Sequence, residues 1–123
     1  MSNSNAERMG LLENILDQMG VAVTYGDNEG KVLYLNRLAA KRPSKIPREV
    51  GINIRDCHSQ ASNEKVARLF EEFRGGRRKP HHYVTNRTGT KELVAIIPFF
   101  EQDKFIGCMS QIYPLEIEES SFG

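Results

Sequence analysis

Few residues in this chain could carry chemistry, and they lie in three places. Asp56, Cys57 and His58 are consecutive in "IRDCHS", His81 and His82 are neighbours in "KPHHYV", and Cys108 and Met109 lie together near the end. A ring nitrogen of His58 or the thiolate of Cys57 could grip a metal. The plainer alternative puts His58 in the lip of a helix, in a turn that with Ser59 and Ser62 satisfies the first helical amides. A hydrolase built from Asp56, Cys57 and His58 is rejected. Side chains adjacent in sequence diverge, and a nucleophile needs its base within hydrogen-bond reach, about 2.6–3.2 Å. His81 and His82 read as strand residues, so their rings point to opposite faces and cannot chelate one ion together. One is expected to pack inward and the other to meet water. A zinc site from Cys57, His58, Cys108 and one of these would need coincidences the sequence does not signal. The spacings "CxxC" and "HExxH", a Gly-rich phosphate loop and a "GxSxG" elbow are all absent.

The elements that must position these residues follow from periodicity. Met9, Leu12, Ile15, Leu16 and Met19 form a helical stripe, with Asn5 as the expected cap and Gly20 as the stop. Apolar and β-branched residues from Val21 to Tyr25 and from Val32 to Leu35 predict two strands. "GDNEG" between them supplies turn residues, so the pair is a hairpin. Asn36 is placed to cap a short helix, "RLAAKR". Pro43 ends that helix, and "PSKIPREVGINIRDCH" allows only one or two helical turns. From Ser62 to Arg74, Val66, Leu69, Phe70 and Phe73 share one helical face, and Gly75 and Gly76 stop the helix. Three strands in a meander follow, divided at "NRTGT" and "EQDK", with Pro98 marking a bulge or a strand end. The prediction is an α+β domain: a five-stranded antiparallel sheet with helices on one face, preceded by an amphipathic N-terminal helix.

Composition narrows the partners. A chain of 123 residues is one domain, and it buries roughly two-thirds of its unfolded surface. Lys and Arg number 17 against 16 Asp and Glu, a net charge of +1 that gives no pull toward nucleic acid or anionic lipid. "RGGRRK" (Arg74 to Lys79) is locally basic and "EIEESS" (Glu116 to Ser121) locally acidic; both are expected to be solvated. Near the basic loop only Tyr83 could stack on a base, so single-strand binding is not expected. Two cysteines make no disulfide framework, no leader-like segment opens the sequence, and no apolar run approaches the roughly 18 residues that span a bilayer. A cytoplasmic setting is the expectation.

From about Leu11 to Pro114 the sequence resembles a PAS domain. The resemblance is carried by the hairpin "VTYGDNEGKVLYLN", by "EKVARLFEEF" and by the closing meander, with Asp27, Gly30 and Asn36 at positions that recur in that family as fold-defining. It implies a sensory and interaction module, not an enzyme. Residues 1–20 would be a helix available for a dimer contact, 21–114 the sensory domain, and 115–123 an acidic tail or linker. It further implies a small molecule, or nothing, held between sheet and helices, a homodimer formed through the N-terminal helix, and regulation of an output domain or protein partner that this chain does not contain. Haem is one ligand the resemblance allows, with His58 as axial ligand, Leu69, Phe70, Ile96, Phe99 and Ile106 as slot walls, and Met109 as sixth ligand. A fatty acid or aromatic metabolite is an alternative, as is an empty pocket serving protein contact. Flavin photochemistry of the LOV kind is set aside, because "IRDCHS" lacks the Asn, Arg and Gln that accompany the reactive cysteine there.

Overall fold

A computed structural model of the protein describes residues 4–44, 46–86 and 89–115. The expected acidic tail from Glu116 onward lies outside the described residues, as do Met1 to Asn3, Lys45, and Arg87 and Thr88 of the "NRTGT" turn. The elements run α1 (Asn5–Gln18), β1 (Ala22–Asp27), β2 (Val32–Leu35), α2 (Arg37–Ala40), a 3-10 turn (Ile54–Cys57), α3 (Gln60–Arg74), β3 (His81–Thr85), β4 (Glu92–Glu101) and β5 (Lys104–Pro114). The five strands form one antiparallel sheet in the order β2-β1-β5-β4-β3. The α+β architecture expected from the pattern is the one observed.

Local chemistry explains most of the boundaries. The cap of α1 is Ser4, not Asn5: its hydroxyl accepts from the Glu7 N–H at 3.1 Å, one residue before the expected position. α3 likewise starts two residues earlier than its apolar stripe implied, because Ser59 caps it by accepting from the Ser62 N–H at 3.2 Å. The β1–β2 turn is organised by Asp27, whose Oδ1 accepts from the N–H groups of Glu29 and Lys31, both at 2.9 Å. Gly30 completes it with φ +88, a conformation that disfavours a side chain. A Cβ there would also stand 3.2 Å from Ile54 Cγ1 and 3.3 Å from Asn53 Oδ1. The outer edge of β2 is partly covered, since Val32 donates to the Ile52 carbonyl at 2.8 Å and accepts from Gly51 at 2.8 Å. Pro98 lies beyond Ile96, the last β4 residue that β3 pairs, so its missing N–H costs no bond to β3. The register irregularity falls one residue later, between Phe99 and Phe100.

The core forms where α3 meets the sheet. Leu69, Phe70 and Phe73 from α3 are buried with Phe105 and Cys108 from β5, and Ile54, Val66, Ile96 and Phe100 pack around them. At the other end of this face, Arg42, just past α2, grips Glu92 at the start of β4 through two bonds of 2.9 and 3.2 Å.

Candidate functional site

The contact between α3 and the sheet, where the family resemblance implies a small molecule or nothing, is filled by aromatic rings. Phe105 is the hub. Its ring meets Phe70 edge-on at 5.5 Å, Phe73 at 5.6 Å and Phe100 at 5.9 Å between centroids. Leu69, Phe70 and Ile96 are therefore brought together as expected walls, but they pack against one another. Phe99 and Met109 are not brought to them. Strand residues alternate faces, and the register pairs Tyr25 with Met109, Met109 with Ile97 and Phe99 with Gly107, on the side of the sheet away from Phe105 and Cys108. There Phe99 stands edge-on to Tyr25 at 5.2 Å, and the Met109 sulfur accepts from Gln111 at 3.5 Å. Ile106 is the extra residue of the β5 bulge and lies outside the core cluster.

His58 follows the 3-10 turn, half-buried, with its Nδ1 2.6 Å from the Ile54 carbonyl. A carbonyl only accepts, so Nδ1 carries the proton and Nε2 is left with its lone pair when the ring is neutral. Cys57 is half-buried. Cys108 is buried, and burial pushes its thiol up to about 12, so it stays protonated. Among the described residues no group of three His, Cys, Asp or Glu side chains could hold a metal ion. His81 stacks on Tyr83 at 5.6 Å and is half-buried, while His82 is exposed.

The recurrent hairpin positions make tight local networks. Asn36 is 1 % exposed, and four groups engage its amide. Its Oδ1 accepts from Val23 at 3.0 Å and Ala39 at 3.1 Å; its Nδ2 donates to Val21 and Leu16, both at 2.7 Å. A second bond crosses the same junction, from the Arg37 N–H to Asp17 Oδ1 at 2.8 Å. The end of α1 is thus tied to the start of α2. The Tyr34 phenol is pushed up by burial first and then by the charges of Asp17 and Glu13 on α1. The Tyr25 phenol is pushed up by burial, with smaller effects from Cys108 and Asp27.

A family model for the PAS domain matches residues 12–108. The chain belongs to the PAS family. Three solved structures illustrate the likeness of fold. A C-terminal domain from Streptococcus mutans superimposes with a TM-score of 0.70 at 21% identity, covering 88% of this chain and 85% of that one. A sensory box sensor histidine kinase from Vibrio cholerae gives 0.63 at 17% identity, with 92% and 95% covered. The Aer2 receptor of Vibrio cholerae, described as a dual PAS-heme oxygen sensor, gives 0.56 at 18% identity, with 78% and 95% covered. No curated protein is detectably similar in sequence.

Whether this PAS domain suits haem can be judged from the residues themselves. One nitrogen of His58 is anchored to a carbonyl, as the non-ligating nitrogen of a metal-bound imidazole usually is. A haem also needs a flat apolar slot. Phe70, Phe73, Phe100 and Phe105 occupy the sheet–α3 contact, and Met109 is on the other side of the sheet. In this packing the residues do not fit the group.

Several arginines hold the PAS domain together in ways the sequence did not signal. Arg74 donates to the Asn28 carbonyl at 2.6 Å and pairs with Glu71 at 2.9 Å. Arg77 bonds Glu72 and the carbonyls of Lys79 and Pro80, and Arg78 lies 4.1 Å above the Phe100 ring while bonding Gln102 and Asp103. The basic loop is largely exposed, as expected of a solvated connection, and its arginines in addition reach back to their own domain. What the sequence does mark is a run of long cationic side chains beside aromatic residues, the usual precondition for such stacking.

Proposed function

We propose that this PAS domain is a cytoplasmic sensory module, non-catalytic, which responds to a small molecule by a change in packing between α3 and the sheet and passes the change to a second copy of the chain through α1. An output domain or separate protein would receive the signal. The observation that carries this reading is the state of α1. No residue of the helix is buried, and Met9, Leu12, Ile15 and Met19 are 59, 58, 50 and 45% exposed. Yet the helix is fastened to the body through Leu16 and Asp17. A helix held rigidly with its apolar stripe uncovered is built to meet a partner surface, and symmetric pairing is the commonest solution. Coupling needs the ligand to favour one packing over the other, typically by about 1–3 kcal/mol.

Native mass spectrometry of the purified chain tests this. The expected result is a dimer that the double substitution Leu12→Glu, Ile15→Glu converts to monomer with an unchanged circular dichroism spectrum of the sheet. A wild-type chain that stays monomeric across micromolar concentrations would defeat the dimer reading.

A haem-based redox or gas sensor with His58 as axial ligand is the second reading, favoured by the anchored ring and by the likeness to the Aer2 receptor. The aromatic packing weighs against it. Titration with haem decides: no Soret band eliminates it, and a band that survives His58→Ala removes His58 from the role.

A further inference from the structure

A hollow of about 450 Å³ is bounded by the β1–β2 turn, the 3-10 turn and α3. Its size is in the range that small ligands occupy. The floor is apolar, made by Ile54, Val66 and Phe70, and the rim is cationic. Three guanidinium groups, Arg55, Arg68 and Arg74, face two carboxylates, Glu29 and Glu71, an excess of one positive charge. Arg74 is neutralised by Glu71. Among the described residues Arg68 and Arg55 pair with no carboxylate, and the Arg55 side chain donates to Asn53 Oδ1 at 3.3 Å. Asn63 also lines the hollow, and its Oδ1 is buried without a hydrogen-bond partner.

The walls are held before any ligand arrives. Asn53 accepts from the Arg55 N–H at 3.0 Å and donates to the Glu29 carbonyl at 3.1 Å, and Asn63 donates to the Arg55 carbonyl at 2.9 Å. Gly30 lets the turn sit against Asn53 and Ile54, a space its missing Cβ would crowd. Such preorganisation reduces the ordering cost of binding.

We propose that this hollow binds a small monocarboxylate that carries an apolar body and one hydroxyl or amino donor. The single excess charge selects a monoanion over a polyanion. Arg55 and Arg68 hold the carboxylate through charge-assisted bonds, the apolar body covers Ile54, Val66 and Phe70, and the donor satisfies Asn63 Oδ1. The site deepens the sensory reading, since it names what would be sensed; it shares Ile54, Val66 and Phe70 with the Phe105 cluster, while Phe73, Phe100 and Phe105 do not line it.

Titration of the full chain with 3-phenyllactate, followed by amide chemical shifts, tests the site. Shifts should concentrate at Gly30, Asn53, Arg55, Asn63 and Arg68, and Arg68→Gln should weaken binding about ten-fold without changing the melting temperature, its side chain being exposed. The methyl ester, with the same shape and no charge, should bind about ten-fold more weakly. Absence of shifts at millimolar ligand, equal binding of acid and ester, or shifts centred on Ile96, Phe105 and Cys108 would overturn the proposal. The last result would leave the sensory reading intact. Binding at the hollow with no change in subunit count would support the site and tell against transmission through α1.

Discussion

The side-chain amide of Asn36 donates to the main-chain oxygen of Leu16 at 2.7 Å, across 20 residues of sequence. One buried side chain therefore closes the first hairpin, caps α2 and holds the end of α1. Any account of how the N-terminal helix follows the body passes through it.

Replacement of Asn36 by Ala strands two carbonyls and two N–H groups at once. Each buried orphan costs about 1–3 kcal/mol, so the loss should exceed about 3 kcal/mol even with water reaching some of them. Urea unfolding measures it. Asn36→Asp should be destabilising too, because it removes both donated bonds and buries a charge.

Gly107→Ala should destabilise by about 1–3 kcal/mol, the usual cost of overpacking. A Cβ there would collide with the Gly26 carbonyl and stand 2.6 Å from Tyr25 Oη. The pair Gly107→Ala, Tyr25→Phe should recover little, since the backbone oxygen of Gly26 remains in the way. Recovery of full stability in that double variant would show the clash to be with the hydroxyl alone.

Stability should fall in alkali because of Cys108. Its thiol has a raised pKa in the folded chain, about 12 against an ordinary 9.0, so the folded state holds the proton more tightly than the unfolded state. The contribution is complete below pH 9 and is lost as pH climbs toward 12. Denaturant midpoints of the wild type and Cys108→Ala should converge over that window. In the same protein a thiol reagent at neutral pH should label Cys57 and reach Cys108 only on unfolding.

Arg42→Met should cost about 1–3 kcal/mol, more than an exposed pair and less than a fully buried one. The two side chains are 20% and 16% exposed and meet through two bonds. Hydrogen exchange should localise the loosening to the α2 end and the first residues of β4, with α3 amides unchanged.

Local pattern alone determined a good part of this PAS domain. The facing of Val66, Leu69, Phe70 and Phe73 follows from a 3.6-residue repeat, which is complete within one helix. The Asp27–Gly30 turn and the caps at Asn36 and near Ser59 are settled by neighbours a few residues away. One cap was still misplaced by a residue, Asn5 for Ser4, and the start of α3 by two, because several polar residues compete at a helix start and only geometry selects one.

Tertiary structure decided what the shared interior contains. "LVAIIPFF" is apolar on both sides, so alternation could not say which of its side chains face α3. The register with β5 sends Phe99 and Met109 to the far face, while Phe105, on the other side of the β5 bulge, joins the cluster beneath α3. Arg74 finds the Asn28 carbonyl 46 positions away, a partner no spacing rule reaches. Short-range hydrogen bonding and helical periodicity can be read along a chain; strand register and long side-chain contacts are properties of segments that meet only in the fold.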